Sequence, residues 1–347
     1  MTSLITNNSA MVALQTLRTI NANLDTTNAH VSTGKRINSA NDGAAYWSIA
    51  TTLTSDNGAL GAVKDAMSLD KNSVDAASSG VNAVVASLAK IKNNLTAALS
   101  PNVDRAKLQT EISSYVSEIK TTADNTVMNG SNWLSVDTSA SGFNGTKNLL
   151  SSFSRTGSTV TVGSTSIDTG SFTVYDASTT GTSTGTSTTL DKAVTAVATA
   201  ANMTGGATVT VDTTAGSLKG FMDTKYVIGG TATAGTEAIT DFDVSGLGNT
   251  DADLAKIQAY VKIVDATMQQ LQNGATTLGT TSTRLDSQQT FAQSLIDLNT
   301  SSIGTLVDAN MEEESTKLKA LQTQQQLAVQ SLSIANSSSQ NVMTLFR

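Results

Sequence analysis

Apolar residues recur at alternating intervals of four and three from Ile49 to Ala98, through Leu53, Leu60, Val63, Met67, Val74, Ala77, Val81, Val84, Leu88, Ile91 and Leu95; Asp56 and Asp70 stand at the two remaining positions. A 3.5-residue period held over about seven heptads stays on one face of a helix only if the helix supercoils around a partner. At 1.5 Å per residue the predicted rod is roughly 75 Å long. A second seam, Ala10, Ala13, Leu17, Ile20, Leu24, Thr27 and Val31, predicts a helix that stops at Gly34. In the polar stretch from Asn38 to Gly43, Asn41 or Asp42 is placed to accept hydrogen bonds from the first N–H groups of the long helix. Beyond Pro101, the spacing of Leu108, Ile112, Tyr115 and Ile119 predicts a third helix, ended by a tight turn at Met128-Asn129-Gly130.

From Thr138 to Thr250 the chain turns to Ser, Thr and Gly, and the heptads vanish. A flexible low-complexity insert has this composition. The alternation in Ser171-Phe172-Thr173-Val174-Tyr175 and Val209-Thr210-Val211 instead reads as strands, and Leu190, Val194, Val197 and Ala201 read as one amphipathic helix, so a small β-rich or α+β module is expected, with a loop over about 178–189. Helical order returns at Leu254, Ile257, Val261, Val264, Met268, Leu271, Ala275, Leu278, Ser282 and Leu285, continuing to Ala292, Ile296, Ile303 and Leu306. A last seam runs through Leu318, Leu321, Gln325, Ala328, Leu332, Ala335, Ser339, Val342 and Phe346.

The fold class read from this pattern is mainly α. The N- and C-terminal helices pair as antiparallel coiled-coil rods, and a β-rich or α+β domain is inserted at the centre. Three domains are expected: residues 1–40 with 303–347, a terminal helical domain; residues 41–140 with 250–302, a long rod with a small β-hairpin region; and residues 141–249, a surface-exposed Ser/Thr/Gly-rich domain. The terminal seams carry Ala, Thr, Ser and Gln where Leu or Ile would pack better. Isolated helices are marginal in water, so these ends are expected to order fully only beside other copies of the chain. A self-contained monomeric bundle is the alternative.

Composition narrows the function. Only 4% of the residues are aromatic and Pro101 is the single proline, which suits long helices and disfavours a large compact catalytic core. A net charge of −7 leaves no broad basic surface for nucleic acid. There is no cysteine for a disulfide or thiolate metal site, and His30 is the only histidine, so neither a His-based metal cluster nor a Ser-His-Asp triad can form. His30 reads as a surface residue, Glu312-Glu313-Glu314 as a solvated helix face, and Trp47 and Trp133 as packing anchors. No apolar run spans a membrane, and the N-terminal segment lacks the charge and apolar core of a cleaved signal peptide. No enzymatic activity, cofactor, metal, nucleic-acid partner or membrane partner is expected.

Three motifs carry a family resemblance. Val31-Ser32-Thr33-Gly34-Lys35-Arg36-Ile37-Asn38-Ser39-Ala40-Asn41-Asp42-Gly43-Ala44-Ala45 resembles the N-terminal signature of bacterial flagellins. Met128-Asn129-Gly130-Ser131-Asn132-Trp133-Leu134 is similar to the family's F-N-G-x-x-L-L turn, and Asn341-Val342-Met343-Thr344-Leu345-Phe346-Arg347 to its N-V-L-S-L-L-R ending. The resemblance implies a structural subunit that polymerises into the flagellar filament, the propeller of swimming bacteria. It implies a polymerisation core containing Leu17, Ile20, Leu24, Val31, Leu318, Leu321, Leu332, Val342 and Phe346; read from the residues themselves, Arg36, Asn38 and Asp42 make an inter-domain loop contact, with Arg36 and Asp42 expected to pair across a subunit contact. It also implies an extracellular location reached without a cleaved signal peptide. The implied partners are further copies, other flagellins, the flagellar cap and hook-associated proteins, and an export chaperone at the C-terminal helix. One departure stands out: where many flagellins carry an R-x-R-E-L core read by an animal innate-immune receptor, this chain has Lys90, Lys92, Asn93 and Asn94, and weak recognition is expected. The alternatives are a hook–filament junction protein and a secreted adhesin on a coiled-coil stalk.

Overall fold

The structure, a computed structural model, describes residues 7–156, 159–178, 188–202, 207–212, 219–229 and 235–345. Its helices are α1 (Asn8–Thr33), α2 (Ala40–Ala97), α3 (Arg105–Asn125), α4 (Thr188–Ala201), α5 (Asp251–Val307) and α6 (Met311–Leu345). The strands are β1 (Val127–Met128), β2 (Ser131–Asn132), β3 (Ser135–Val136), β4 (Thr146–Thr156), β5 (Thr159–Asp168), β6 (Tyr175–Asp176), β7 (Thr208–Val211), β8 (Tyr226–Gly229) and β9 (Gly235–Glu237). The chain divides into two compact units, Met1–Gly61 with Gln293–Arg347, and Ala62–Ala292. A mainly helical chain with terminal helices and a strand-bearing centre is the expected fold class.

In the Ala62–Ala292 unit the α2 seam is closed. Val74, Val81, Val84, Leu88, Ile91 and Leu95 are fully buried, together with Ile112 and Ile119 of α3 and Ile257, Val264, Leu271 and Leu278 of α5. Each large aliphatic contributes about 1.5–3 kcal/mol when taken out of water, which makes this the stable part of the chain. Asp70, a break in the apolar series, serves as an anchor: its Oδ2 accepts the Leu150 N–H of β4 at 2.8 Å, and burial pushes its carboxyl above the usual carboxylate range. Lys92 bridges to Asp265 of α5 at 2.6 Å, and Ser282 donates to Asp75 at 2.6 Å.

Turn chemistry sets the ends of α3. The Asp104 side chain accepts from the Lys107 N–H at the start. At the other end the Asn132 amide donates to the carbonyls of Ala123 and Asp124, while its oxygen accepts from Leu134 and Ser135. Asn132 reaches back because β1 and β2 form a hairpin with Asn129 (φ 53°) and Gly130 (φ 73°) as its two-residue turn. Positive φ at both positions favours an Asn-Gly pair. Arg105 is 8% exposed and ties three segments together: Nε donates to Ala98 O at 2.8 Å, Nη1 to Leu247 O at 2.9 Å and Gly248 O at 2.7 Å, and Nη2 to the Asn249 side chain at 2.9 Å.

The centre is a set of small sheets rather than a low-complexity insert. β7, β8 and β9 form an antiparallel sheet with α4 packed beside them, β3 pairs with β6 in parallel, and β4 with β5 makes an antiparallel ribbon. Glu237 of β9 accepts from Lys256 of α5 at 2.8 Å and from the Tyr260 hydroxyl, whose ring stacks on Phe242 at 3.9 Å. Two expectations are corrected. The 171–175 alternation is largely not a strand: a 3-10 turn occupies Thr169–Ser171, and pairing begins only at Tyr175. Phe172, Thr173 and Val174 are all buried, which no two-residue alternation would give, because the segment packs as a turn against α5. Ile49 is 49% exposed and Ala50 is buried in its place, so the α2 seam begins one residue later. Most of the expected 178–189 loop lies outside the described residues.

The packing around α5 distinguishes two of its glycines. A β carbon on Gly274 would lie 2.6 Å from Ser171 O, whereas one on Gly279 meets nothing within 4 Å. Gly274→Ala should lower stability by about 1–3 kcal/mol, and Gly279→Ala should match or exceed the wild type by up to about 1 kcal/mol, checked by denaturant melts. Burial also sets a pH dependence through Asp223, whose carboxyl it pushes up to about 7 and whose Oδ1 has no partner. The folded chain holds that proton while the unfolded chain, at 3.8, has released it, so folding is progressively weakened as pH rises from about 4 to about 7. The wild-type minus Asp223→Asn difference in unfolding free energy should therefore fall over that window by roughly 2–4 kcal/mol and stay level above about pH 8.

Candidate functional site

The unit Met1–Gly61 with Gln293–Arg347 is built differently. α1 opens with Asn7, whose side chain accepts from the Ala10 N–H, and closes at Gly34 in the left-handed region (φ 70°), whose N–H returns to His30 O. α6 lies antiparallel to α1, with contacts that descend on one helix as they rise on the other. Asn7 donates to Ala335 O at 2.9 Å, Gln325 to the Asn21 side chain at 2.8 Å, and His30 Nδ1 meets Glu314 Oε1 at 3.0 Å. Polar pairs at seam positions fix register at a cost in stability. Here they do so in a seam with little apolar burial.

Where the two helices meet the rest of the unit, the loops are stitched together. Arg36 N–H donates to Val307 O at 2.7 Å, Ala309 N–H to Gly34 O at 2.9 Å, and Lys35 and Asp308 form an antiparallel bridge. The Arg36 guanidinium caps the last turn of α5 through Leu306 O at 3.2 Å, a position that favours a cation. Asp42 does not cap α2 as expected. Its Oδ2 accepts from the preceding N–H groups of Ser39 (2.8 Å) and Asn38 (3.0 Å) and from the Ser39 hydroxyl, and these bonds hold its carboxyl below the usual carboxylate range. Arg36, Asn38 and Asp42 thus shape one loop, with Arg36 and Asp42 serving different backbone groups. Further along, Asn57 of α2 donates to Ile296 O and Thr300 of α5 and accepts from Asn299.

Of the predicted core residues, Ile20 and Leu321 are buried, and Leu17, Leu24, Val31, Leu318 and Leu332 are half-buried on the facing stripes of α1 and α6. Phe346 and the side chain of Val342 lie outside the described residues. The buried apolar cluster of this unit is small: Ile37, Ala50 and Val307, flanked by Ile303 and Leu306. Large apolar side chains stand outside it, among them Met11, Val12 and Leu14 on α1, Trp47 on α2, Leu298 on α5, and Leu327, Val329 and Ile334 on α6, the last 69% exposed. Trp133 is buried as expected of an anchor, but Trp47 is 40% exposed. His30 is not a plain surface residue either: its side chain is 15% exposed and that of Glu314 13%. The interhelical pairing draws both inward, leaving only Glu312 and Glu313 as the solvated acidic face.

The exposed hydroxyls add a second feature. Thr16, Thr19, Thr26 and Thr33 of α1, and Thr316 and Thr323 of α6, each donate to the carbonyl four residues earlier. A hydroxyl satisfied within its own helix loses no donor bond when that face is covered. These faces suit burial against another protein surface. Among the described residues no group of three metal-ligating side chains occurs, and no helix is long and apolar enough to cross a membrane.

Residues 4–138 match the family described as bacterial flagellin N-terminal helical region, and residues 261–346 the bacterial flagellin C-terminal helical region. The chain is 40% identical to flagellin C of Rhizobium meliloti (strain 1021) over 349 aligned residues and 35% identical to the flagellin of Brucella melitensis over 348, in both cases across 100% of each chain. The chain belongs to the bacterial flagellin family. Its function is that of a structural subunit of the flagellar filament, and the junction-protein and adhesin alternatives are not favoured. In this flagellin the half-buried seam and the exposed aliphatic residues of α1 and α6 lie within the two matched regions.

The residues at the receptor-epitope position lie in the Ala62–Ala292 unit. Lys90 sits over the Tyr115 ring at 4.9 Å, Lys92 is taken by Asp265, Asn94 donates to Glu111 at 2.9 Å, and Asn93 is exposed. The His30–Glu314, Asn57–Asn299 and Arg36–Leu306 links escape a reading of the sequence. The sequence singles out His30 as a lone imidazole, Glu314 in an acidic run and Arg36 in the loop, but not the partners they meet. Replacing His30 by Ala should leave the Glu314 carboxylate largely buried without its partner, at a local cost of about 1–3 kcal/mol. Tryptic cleavage at the exposed Arg18 should then speed up about tenfold or more, and His30→Leu combined with Glu314→Leu should reverse the effect.

Proposed function

We propose that copies of this flagellin join through the terminal helices α1 and α6, with Leu17, Ile20, Leu24, Val31, Leu318, Leu321, Leu332, Val342 and Phe346 in the polymerisation core and Arg36, Asn38 and Asp42 shaping the loop beside it. The observation that carries this reading is that the α1–α6 stripe is only partly buried while both helices carry exposed aliphatic residues on their other faces. Residues 1–40 with 303–347 act as the filament core, 41–140 with 250–302 as the next shell, and 141–249 as the outer surface. The subunit is structural and not catalytic. The flagellar cap and hook-associated proteins meet the same contacts at the ends of the polymer, other flagellins can enter it, and an export chaperone covers α6, where Leu327, Val329 and Ile334 are exposed. The occupied Lys92 and the substitutions Asn93 and Asn94 make the chain a weak ligand for the animal flagellin receptor.

Truncation tests the core. Protein lacking residues 1–35 or 318–347 should remain monomeric, keep the main thermal transition of the Ala62–Ala292 unit, and form no filaments from seeds under negative stain. Filaments of ordinary length from either truncation would refute the assignment. For the receptor, purified monomer should evoke little response in receptor-bearing cells, and a full response at the dose of an R-x-R-E-L flagellin would refute that part.

A further inference from the structure

Tyr46 and Trp47 make an exposed aromatic pair on the first turns of α2, 51% and 40% exposed, with Ile49, 49% exposed, one turn on from Tyr46. Among the described residues of the Met1–Gly61 with Gln293–Arg347 unit, Tyr46 and Trp47 are the only ones of type Phe, Tyr or Trp. The large rings with low exposure, Tyr226, Tyr260, Phe172, Phe221 and Phe242, all lie in the Ala62–Ala292 unit. The patch continues the small buried cluster outward. A β carbon on Gly43 would lie 3.3 Å from Ile37 Cδ1 and 3.7 Å from Tyr46 Cδ2, so Tyr46 closes over the glycine beside Ile37, and Ala50, one turn on from Trp47, is buried. Lys35, Arg36 and Asp42 stand a few residues earlier in the chain, and all three are exposed. Tryptophan and tyrosine in such a setting are the residue types that dominate binding energy at protein interfaces.

We infer that Trp47, with Tyr46 and Ile49, is the anchor of a head-to-tail contact with a second copy of this chain. The inference rests on the filament reading, because that reading supplies the partner. A growing polymer requires heterologous contacts, in which a patch on one copy meets a different surface on the next. Apart from this patch, the large apolar side chains exposed among the described residues of the unit are aliphatic or methionine, such as Met11, Val12, Leu14, Met311 and Leu327. The aromatic patch therefore meets an aliphatic, methionine-bearing face of the neighbour, where sulfur and methyl groups pack against the rings.

The two tryptophans make this measurable. In a Trp133→Phe variant of the full chain, Trp47 is the only indole; its fluorescence should be open to acrylamide quenching in dilute monomer and shielded, with a blue shift, in seeded filaments. If Trp133→Phe loses its cooperative thermal transition, the wild type serves, read as an accessible and an inaccessible tryptophan that become two inaccessible ones. Trp47→Ser should raise the critical concentration for polymerisation about tenfold or more, with unchanged far-ultraviolet circular dichroism and melting of the monomer, while Trp47→Phe should raise it far less. Trp47 equally quenchable in monomer and filament, or already shielded in dilute monomer, would overturn the assignment while leaving the filament reading intact, as would Trp47→Ser polymerising like wild type. Failure of the wild type itself to polymerise would overturn the filament reading and this contact with it.

Discussion

A heptad stripe holds a helix in place to the extent that it buries apolar surface, and this flagellin buries far more of it in one of its two units than in the other. In the Ala62–Ala292 unit, α3, α5 and the inserted module surround the α2 seam, and its aliphatic residues reach zero exposure from Val74 to Leu95. In the unit formed by the chain ends, the described residues of α1 and α6 pack mainly against each other. Their facing stripes stop at partial burial, and their polar cross-links specify register without supplying much burial. Burial of apolar surface is the dominant favourable term in folding and association. A pair that leaves so much uncovered is therefore the place where a partner surface stabilises most.

The polar chemistry of the ends is compatible with being covered. Threonine hydroxyls along α1 and α6 are bonded within their own helices, so burying them leaves no orphan donor. Register is set beforehand by His30–Glu314, Asn21–Gln325 and Asn7–Ala335, and the loop carrying Arg36 and Asp42 is fixed by backbone bonds. Such links select one alignment for a pair that is only marginally ordered alone, and leave the missing burial to neighbouring copies. Ala, Ser and Thr at the seam, poor for a lone pair, permit close approach of several helices.

Long helices advertise themselves through spacing, so much of this architecture is legible in the sequence. The seam expected for α1 and, over its described side chains, that for α6 coincide with the stripes that face each other; the α2 seam follows the buried line apart from the shift from Ile49 to Ala50, whereas in α5 the expected Val261 and Met268 are only half-buried and Tyr260, Ile263 and Ala266 are buried beside them. The Asn129-Gly130 turn is readable for a stereochemical reason, since few other pairs accept positive φ twice. The centre is harder. β4 does not alternate, and in β5 the alternating Val160 and Val162 are exposed while Ile167 is buried, so the period does not mark the buried face. Phe172 and Val174 alternate with Ser and Thr yet sit in a turn, where tertiary packing overrides the period. Arg105, Glu314 and Asp42 act through partners more than a heptad away or through backbone groups, which no linear pattern encodes. Trp47 departs from expectation because a tryptophan is usually well buried, whereas this one stands outside the small cluster of Ile37, Ala50 and Val307.

Amide hydrogen exchange, measured segment by segment on dilute monomer and on filaments, decides whether the α1–α6 pair is incomplete without its neighbours. Both helices should exchange quickly in the monomer and become strongly protected in the filament, while residues 74–95 of α2 and 257–285 of α5 stay slow in both. Equal, strong protection of α1 and α6 in dilute monomer would mean that the pair is complete by itself, contrary to what its half-buried stripe implies.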